Sequence, residues 1–341
     1  MLANADDRLK AKETSRLQAL VHIDPSQPGF SRRALKRGFA YLDCDGKRIR
    51  DPEIVARLDA IALPPAYDDA WYAPDPNAHI LATGTDAAGR RQYRYHPSFS
   101  AHRDERKFAN CAAFGLALPA IRSEVERELR GRKLTQSRAL ASIIRLLDTG
   151  RVRVGNDCYA RKNGSFGATT LRRRHVRLKQ DALHLRFKAK SGKICEMTVS
   201  DRGLLRFVKQ VLDLPGQTLF QFEGEDGEYH AMTSSHVNDY IHAIAGEQFT
   251  AKDFRTWRAN VLAFAWLRED HGSARTLKAM LSHVSAHLCN TPAVARKAYI
   301  HPRFVEQART DPLGLLGYPL PRRAKWLSRD ERALIAYLSA E

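Results

Sequence analysis

The sequence is poor in several features that would assign a protein to a common class. Its five cysteines are odd in number and widely scattered, with no disulfide framework and no paired C-x-x-C zinc spacing, which favours a reduced intracellular setting. No uninterrupted apolar stretch approaches the ~20 residues of a membrane helix. The polar N-terminus lacks the apolar core of a signal peptide. We therefore expect a cytoplasmic protein without membrane association.

Nucleotide-binding and metal-binding motifs are missing as well. No Walker loop and no G-x-G-x-x-G occur, so neither an ATP site nor a dinucleotide site is predicted. His283, His287 and Cys289 have helical spacing, but no H-E-x-x-H motif and no second ligand pair accompany them. The sequence therefore predicts no cofactor and no metal.

What the chain has in excess is positive charge. It carries 56 lysines and arginines against 38 acidic residues in 341, a formal net charge of +18. Such an excess is typical of proteins with a polyanionic partner, of which nucleic acid is the commonest. A ribosome-associated or merely solvated basic surface is the alternative that composition leaves open.

Residues 1–100 are predicted to form a small β-rich domain. Residues 80–84 and 91–95 look like two strands of a hairpin around an Asp-Ala-Ala-Gly turn. Period-two alternation places Tyr93 and Tyr95 on one face of the second strand and Gln92 on the other.

Residues 101–341 are predicted to form a larger, mainly helical domain that carries a β-hairpin, which makes the fold class α+β. Its clearest helix lies between an N-cap at Thr135 and a stop at Gly150. Residues 183–187 and 194–199 are predicted as the hairpin strands, and Pro119 is expected in the first turn of a helix. Further helices are predicted over residues 201–212, 234–245, 255–269 and 274–281, and a capping box at residues 328–331 opens the last one.

One tyrosine and several cations in this domain have the chemistry that transfer of a DNA phosphodiester to a phenol requires. The transition state gains negative charge, which arginines can clamp bidentately, and the leaving 5′-oxygen needs a proton, which a lysine can supply. Arg153 follows the Gly150 helix stop, Lys190 lies at the hairpin tip, Arg255 begins a predicted helix with its arginines towards a cleft, and Tyr299 is near the C-terminus. Taken singly, each has an ordinary explanation as a surface cation or a packing tyrosine.

Several motifs in a fixed order connect these residues to a known family. The chain resembles the type IB DNA topoisomerases, specifically the compact poxvirus-like form found in bacteria, from about Phe39 to Pro302. The motifs are Pro64-Pro-Ala-Tyr67, Gln92-Tyr-Arg-Tyr95-His-Pro, Arg153-Val-Gly-Asn156-Asp-Cys-Tyr159, Phe187-Lys-Ala-Lys190, Lys252-Asp-Phe-Arg255-Thr-Trp, Asn290-Thr-Pro and Tyr299-Ile-His-Pro.

The resemblance implies a role for each member of the site. Tyr299 would be the nucleophile that forms a 3′-phosphotyrosyl bond, Arg153 and Arg255 the clamp, and Lys190 the general acid. Asn290 occupies the position of a histidine in the viral and eukaryotic enzymes; its amide can donate a hydrogen bond but carries no charge.

Two features leave the choice of lysine open. Three lysines share the hairpin tip, and chemistry alone does not select one of them. The family usually has glycine where this chain has Ala189, so Lys193 remains an alternative to Lys190.

The resemblance also implies DNA contacts. Gln92, Tyr93 and Tyr95 resemble major-groove readers, and Tyr159 resembles a phosphate- or base-contacting residue. Arg172, Arg173 and Arg174 form a candidate phosphate patch. Cross-strand packing of the tyrosines and a solvated basic turn are the alternatives.

We thus expect a monomeric, nucleoid-associated enzyme that clamps duplex DNA and relaxes supercoils without ATP or metal. A tyrosine recombinase is the nearest alternative, since Leu281-Ser-His283 is similar to its Leu-Gly-His signature. Recombinases, however, favour His-x-x-Arg where this chain has Lys252-Asp-Phe-Arg255. A non-catalytic basic DNA-binding protein is the alternative from another class.

Overall fold

The computed structural model of the chain describes residues 20–340, apart from the side chain of Asp104. The polar N-terminal segment, for which no signal peptide is predicted, lies outside the described residues. The described residues divide into two compact units between Phe108 and Ala109, and the division falls within the long helix Pro97–Leu129.

The N-terminal unit contains a five-stranded antiparallel sheet of order β2-β1-β3-β4-β5. Its strands are β1 (Phe30–Ala34), β2 (Phe39–Leu42), β3 (Asp68–Tyr72), β4 (Ile80–Thr85) and β5 (Arg91–Tyr95). The predicted hairpin is confirmed as β4 and β5. Helix α1 (Pro52–Ala60) begins where the Asp51 carboxylate accepts hydrogen bonds from two backbone N–H groups. A small core lies between helix and sheet: Tyr41, Leu58, Leu63, Tyr72 and Ala82.

The second unit is mainly helical, and the α+β class is confirmed. After α2 (Pro97–Leu129) its helices are α3 (Gln136–Leu147), α4 (Asp157–Asn163), α5 (Arg202–Leu212), α6 (Ser234–Ala245), α7 (Ala251–Arg268), α8 (Leu277–His287), α9 (Pro292–Ala298), α10 (Pro302–Thr310) and α11 (Arg329–Leu338). No described helix is long and apolar enough to cross a membrane.

A three-stranded antiparallel sheet in this unit carries the lysine-rich tip. Its order is β6 (Val176–Lys179), β7 (Ala182–Lys188) and β8 (Ile194–Val199). The predicted hairpin is confirmed as β7 and β8, whereas β6 was not predicted. A further two-stranded sheet pairs β9 (Gln221–Glu223) with β10 (Tyr229–Ala231).

The prediction for Pro119 was wrong, because Pro119 lies inside α2 and not in a first turn. A proline in a helix interior costs about 3 kcal/mol. Leu118, Ile121 and Val125 on the same helix are almost completely buried in the core of the second unit. Each such side chain contributes about 1.5–3 kcal/mol on burial, so packing offsets the lost backbone hydrogen bond.

Two other helix starts differ from the predictions. Helix α7 begins at Ala251, four residues before Arg255, because Thr250 donates to the Asp253 carboxylate from its backbone N–H (2.8 Å) and from its hydroxyl (2.9 Å). Helix α8 begins after Thr276, whose hydroxyl accepts from the backbone N–H of Ala279 at 3.2 Å. Arg255 therefore lies in the second turn of its helix.

Candidate active site

Tyr299 directly follows α9 and is held by its backbone. It is 8% exposed. Asn260, completely buried on α7, donates from Nδ2 to the carbonyl of Tyr299 at 3.1 Å and accepts from the backbone N–H of His301 at 2.7 Å. The site thus contains a positioning residue that was not predicted. An asparagine within an apolar helical stretch is the only sequence signal that points to it.

Arg255 lies beside the Tyr299 ring and is fixed by backbone carbonyls. Its Nη1 donates to the carbonyls of Gly150 (2.8 Å) and Arg151 (2.9 Å), and its Nη2 donates to that of Leu288 (2.7 Å). The guanidinium carbon is 5.2 Å from the ring centroid of Tyr299. At 2% exposure Arg255 is buried.

The basic residues near Tyr299 change the pKa of its phenol. Burial alone would raise the pKa of Tyr299, but Arg255, Arg153 and Lys252 outweigh burial and lower it. Burial and the positive charge of Arg153 lower the pKa of Arg255, because both disfavour its charged form.

Arg153 lies in a loop whose backbone is tightly constrained. Its carbonyl accepts from the N–H of Ala168 at 2.7 Å. Gly155 has φ +106°, and a Cβ at the facing Gly167 would lie 2.6 Å from the Gly155 Cα, so both positions require glycine. The Arg153 guanidinium donates to the side-chain oxygen of Asn290.

Asn290 connects three parts of the site. It is 7% exposed, its backbone N–H donates to the carbonyl of Ser285 at 2.9 Å, and its side-chain oxygen accepts from Arg153. Its Nδ2 is buried and has no partner in residues 20–340. A buried donor without a partner costs about 1–3 kcal/mol of stability. Such groups are rare in folded proteins, which makes the Asn290 amide a candidate donor to a ligand.

The two candidate lysines at the β7–β8 tip have different surroundings. Lys193 donates from Nζ to the carbonyl of Asn290 at 2.6 Å. Lys190 begins a single 3-10 turn and is exposed, and no hydrogen bond or ion pair of its side chain occurs within the described part of the chain. Ser191 has φ +63° in this turn.

The candidate DNA contacts of the second unit differ in exposure. Tyr159 on α4 is 43% exposed, and Arg174 is exposed beside an aromatic ring. Arg172 donates to the side chain of Gln217 at 3.1 Å. Arg173 instead donates to two backbone carbonyls at and just after the end of α5, so its guanidinium is used within the protein.

The candidate DNA contacts of the N-terminal unit lie on β5. Tyr93 and Tyr95 share a face, as predicted, with stacked rings 5.9 Å apart. Tyr93 is exposed, and the Arg103 guanidinium lies 4.9 Å from the Tyr95 ring centroid. Gln92 donates to Asp86 at 2.9 Å.

The histidines near the site do not form a metal centre in the described residues. No group of three or more His, Cys, Asp or Glu side chains between residues 20 and 340 is arranged to hold a metal ion. Burial, Arg258 and Arg151 lower the pKa of His287 to about 4, and its Nε2 lies 3.3 Å from the carbonyl of Thr149.

Comparison with known proteins identifies the family. Residues 96–311 match the family model "Eukaryotic DNA topoisomerase I, catalytic core", and residues 38–86 match "Bacterial DNA topoisomerase IB, N-terminal domain". The chain is 29% identical over 302 residues to DNA topoisomerase 1B of Acanthamoeba polyphaga mimivirus, covering 82% of this chain and 90% of the relative. It is 25% identical over 193 residues to DNA topoisomerase 1 of Mycosarcoma maydis, covering 50% of this chain and 19% of that protein. The resemblance is thus confirmed: the chain belongs to the type IB DNA topoisomerases and is an enzyme that acts on DNA.

Proposed function

We propose that this enzyme relaxes supercoiled DNA by cutting one strand with Tyr299 and later rejoining it. The observation that carries the proposal is that the Arg255 guanidinium lies beside a buried phenol whose pKa Arg255 and Arg153 lower against the effect of burial, while Arg153 is hydrogen-bonded to Asn290. A lower pKa increases the fraction of reactive phenolate at neutral pH. The cations can then stabilise the negative charge that develops on the phosphate in the transition state.

The proposed reaction conserves the bond energy of the backbone. The Tyr299 oxygen attacks phosphorus and its proton leaves to solvent, while the bond from phosphorus to the 5′-oxygen breaks. That oxygen takes a proton from a lysine and leaves as a hydroxyl. The 3′-phosphotyrosyl bond holds the cut end while the duplex rotates. The 5′-hydroxyl then attacks in reverse, so the cycle consumes no ATP and needs no metal.

The unused donors of the site support the clamp role. Arg255 binds three carbonyls through Nη1 and Nη2, whereas its Nε is buried without a partner in the described chain. This Nε–H can donate a charge-assisted hydrogen bond to a phosphate oxygen. The free Nδ2 of Asn290 supplies a further neutral donor next to Arg153.

We propose Lys190 as the general acid and Lys193 as the residue that positions the tip. The exposed Lys190 has no protein partner among residues 20–340, so its ammonium can reach a leaving oxygen. Lys193 is already bound to the Asn290 carbonyl at 2.6 Å.

We further propose that an N-terminal DNA-binding domain (residues 1–100) and a catalytic domain (residues 101–341) clamp the duplex together, with the enzyme acting as a monomer. The exposure of Tyr93, Tyr159 and Arg174 supports DNA contacts. The full proposed set is Gln92, Tyr93, Tyr95, Tyr159, Arg172, Arg173 and Arg174. Of these, Arg173 has the weakest support, since its guanidinium is bound to protein carbonyls.

A relaxation assay on supercoiled plasmid, in EDTA and without ATP, tests the proposal. Wild type should relax the plasmid and leave a detergent-trapped covalent protein–DNA adduct. Tyr299→Phe should lose both by about 10³-fold or more while still binding duplex DNA. Absence of relaxation by wild type, or full activity in Y299F, would refute the mechanism. Binding without any adduct would favour the non-catalytic alternative.

A further inference from the structure

Two cysteines from distant parts of the chain meet beside the active site. The sulfur atoms of Cys195 and Cys289 are 3.3 Å apart across a separation of 94 residues, and both thiols are free. Cys195 is completely buried on β8, where it pairs with Phe187, and Cys289 is partly buried in the turn after α8. Neither side chain has a role in the proposed cleavage chemistry.

We propose that Cys195 and Cys289 form a reversible disulfide that inactivates the enzyme when a hydroperoxide is present. The pair thus constitutes an oxidative modification site. The site itself depends on the geometry of the two thiols, and only its effect on relaxation rests on the proposed function.

The surroundings make the two thiols unequal. Either thiol can donate across the pair. A hydrogen bond donated by Cys195, together with Arg151, Arg255 and Arg153, lowers the pKa of Cys289, although burial opposes its ionisation. The same bond and burial raise the pKa of Cys195. A thiolate close to arginines and partly open to solvent is the type of cysteine that oxidants attack first.

The reaction balances as a two-electron oxidation. The Cys289 thiolate attacks the outer oxygen of a hydroperoxide and the O–O bond breaks, which yields a sulfenic acid and a hydroxide or alkoxide that takes a proton from solvent. The Cys195 thiol then attacks the Cys289 sulfur, the S–S bond forms, and the sulfenic oxygen leaves as water. An external dithiol reverses the step by thiol–disulfide exchange.

The disulfide would act on the site through the residues next to it. Lys193 lies two positions before Cys195, and Asn290 directly follows Cys289. The carbonyl of Leu288, on the other side of Cys289, accepts from Arg255 at 2.7 Å. An S–S bond of about 2.05 Å would draw the sulfurs together by about 1 Å. Misplacement of a site by about 1 Å can cost about 10²-fold in rate.

The test combines peptide mapping with relaxation. Purified full-length enzyme is treated with hydrogen peroxide, the peroxide is removed with catalase, and half of the sample is then reduced with dithiothreitol. We expect a Cys195–Cys289 cross-link in the non-reducing peptide map and about 10²-fold slower relaxation, both reversed by dithiothreitol. Cys195→Ser and Cys289→Ser should keep their untreated activity after peroxide.

Matched controls separate this pair from other thiols. Cys44 and Cys158 are exposed, and a C44S/C158S variant should still be inactivated. Cys195→Ala and Cys289→Ala provide second variants should a buried serine perturb folding. No cross-link in oxidised wild type, or equal peroxide inactivation of C195S, would overturn the proposal. The peptide map detects the cross-link without any activity measurement. A missing cross-link therefore refutes the disulfide, whereas untreated enzyme that does not relax DNA refutes the proposed function.

Discussion

Lys193 Nζ donates a 2.6 Å hydrogen bond to the backbone carbonyl of Asn290, which ties the β7–β8 tip to the turn that carries the site amide. The bond gives Lys193 a fixed place, whereas the side chain of Lys190 makes no hydrogen bond or ion pair within residues 20–340. A general acid must be able to reach the leaving oxygen, while a bound lysine can hold the turn.

The first prediction separates these two lysines. Lys190→Ala should slow single-turnover cleavage by about 10²–10⁴-fold, the usual contribution of general acid catalysis. A substrate with sulfur in place of the bridging 5′-oxygen should restore most of that rate, because a thiolate leaves without a proton. Lys193→Ala should slow cleavage of both substrates equally. Sulfur rescue of K193A and not of K190A would assign the proton to Lys193.

The second prediction concerns the two arginines of the clamp. Loss of one charge-stabilising donor typically costs about 10²–10³-fold, so Arg153→Ala and Arg255→Ala should both lose that much cleavage rate. Arg255 also binds the carbonyls of Gly150, Arg151 and Leu288. Only R255A should therefore lower the free energy of unfolding, by about 2 kcal/mol or more.

Urea unfolding and single-turnover cleavage measure the two effects on the same proteins. Arg153→Lys is the matched control, since it keeps the charge and loses the fork of donors. Equal destabilisation by R153A and R255A would contradict a structural role specific to Arg255.

The third prediction concerns Asn290, the uncharged residue of the site. Asn290→His introduces an imidazole whose cation is present below a pKa of ~6.5 and lost above it. A charged donor stabilises an anion by about 1 kcal/mol more than a neutral one, so the N290H rate relative to wild type should fall about fivefold as pH rises from ~5.5 to ~8.

Taking the ratio of cleavage rates at each pH cancels titrations common to both proteins, such as those of Cys289 and Tyr299. Asn290→Ala should give a ratio that does not vary with pH. A pH-independent ratio for N290H would mean that residue 290 does not face the reacting phosphate.

The fourth prediction concerns stability away from the site. Arg122 donates to Asp148 at 2.8 Å and to Glu331 at 2.7 Å, and Trp257 donates to Glu331 at 3.1 Å. Burial raises the pKa of Glu331, but hydrogen bonds and the charge of Arg122 outweigh it and lower the pKa from 4.5 to about 2. The carboxylate therefore contributes about 3 kcal/mol above pH 4.5, and this contribution is lost as pH falls towards 2.

Glu331→Gln should accordingly lower the free energy of unfolding by about 3 kcal/mol at pH 7, with a smaller difference near pH 3. Urea titrations of both proteins at the two pH values measure it. Glu306→Gln is a suitable control, because the Glu306 ion pair with Arg309 is solvent-exposed. A loss as large at pH 3 as at pH 7 would contradict the titration argument.

Much of the local structure was predictable because it depends on near neighbours in the chain. The N-cap at Thr135, the capping box at Ser328 and the strands on either side of the Asp86 turn each involve residues a few positions apart. The interior position of Pro119 was not predictable in this way, since it depends on the core that Leu118 and Ile121 enter. The start of α7, in contrast, depends on the neighbouring residues Thr250 and Asp253 and is a local feature of the sequence.

The sequence by itself determined the family, because an ordered series of motifs ending in Tyr299-Ile-His-Pro is carried by the chain whatever its conformation. Only the tertiary structure decided which groups meet. Arg153 and Asn290 are 137 residues apart and share a hydrogen bond, and Asn260 fixes the backbone of Tyr299 from another helix. Long-range contacts of this kind arise from the packing of whole elements, which no local period of the sequence encodes.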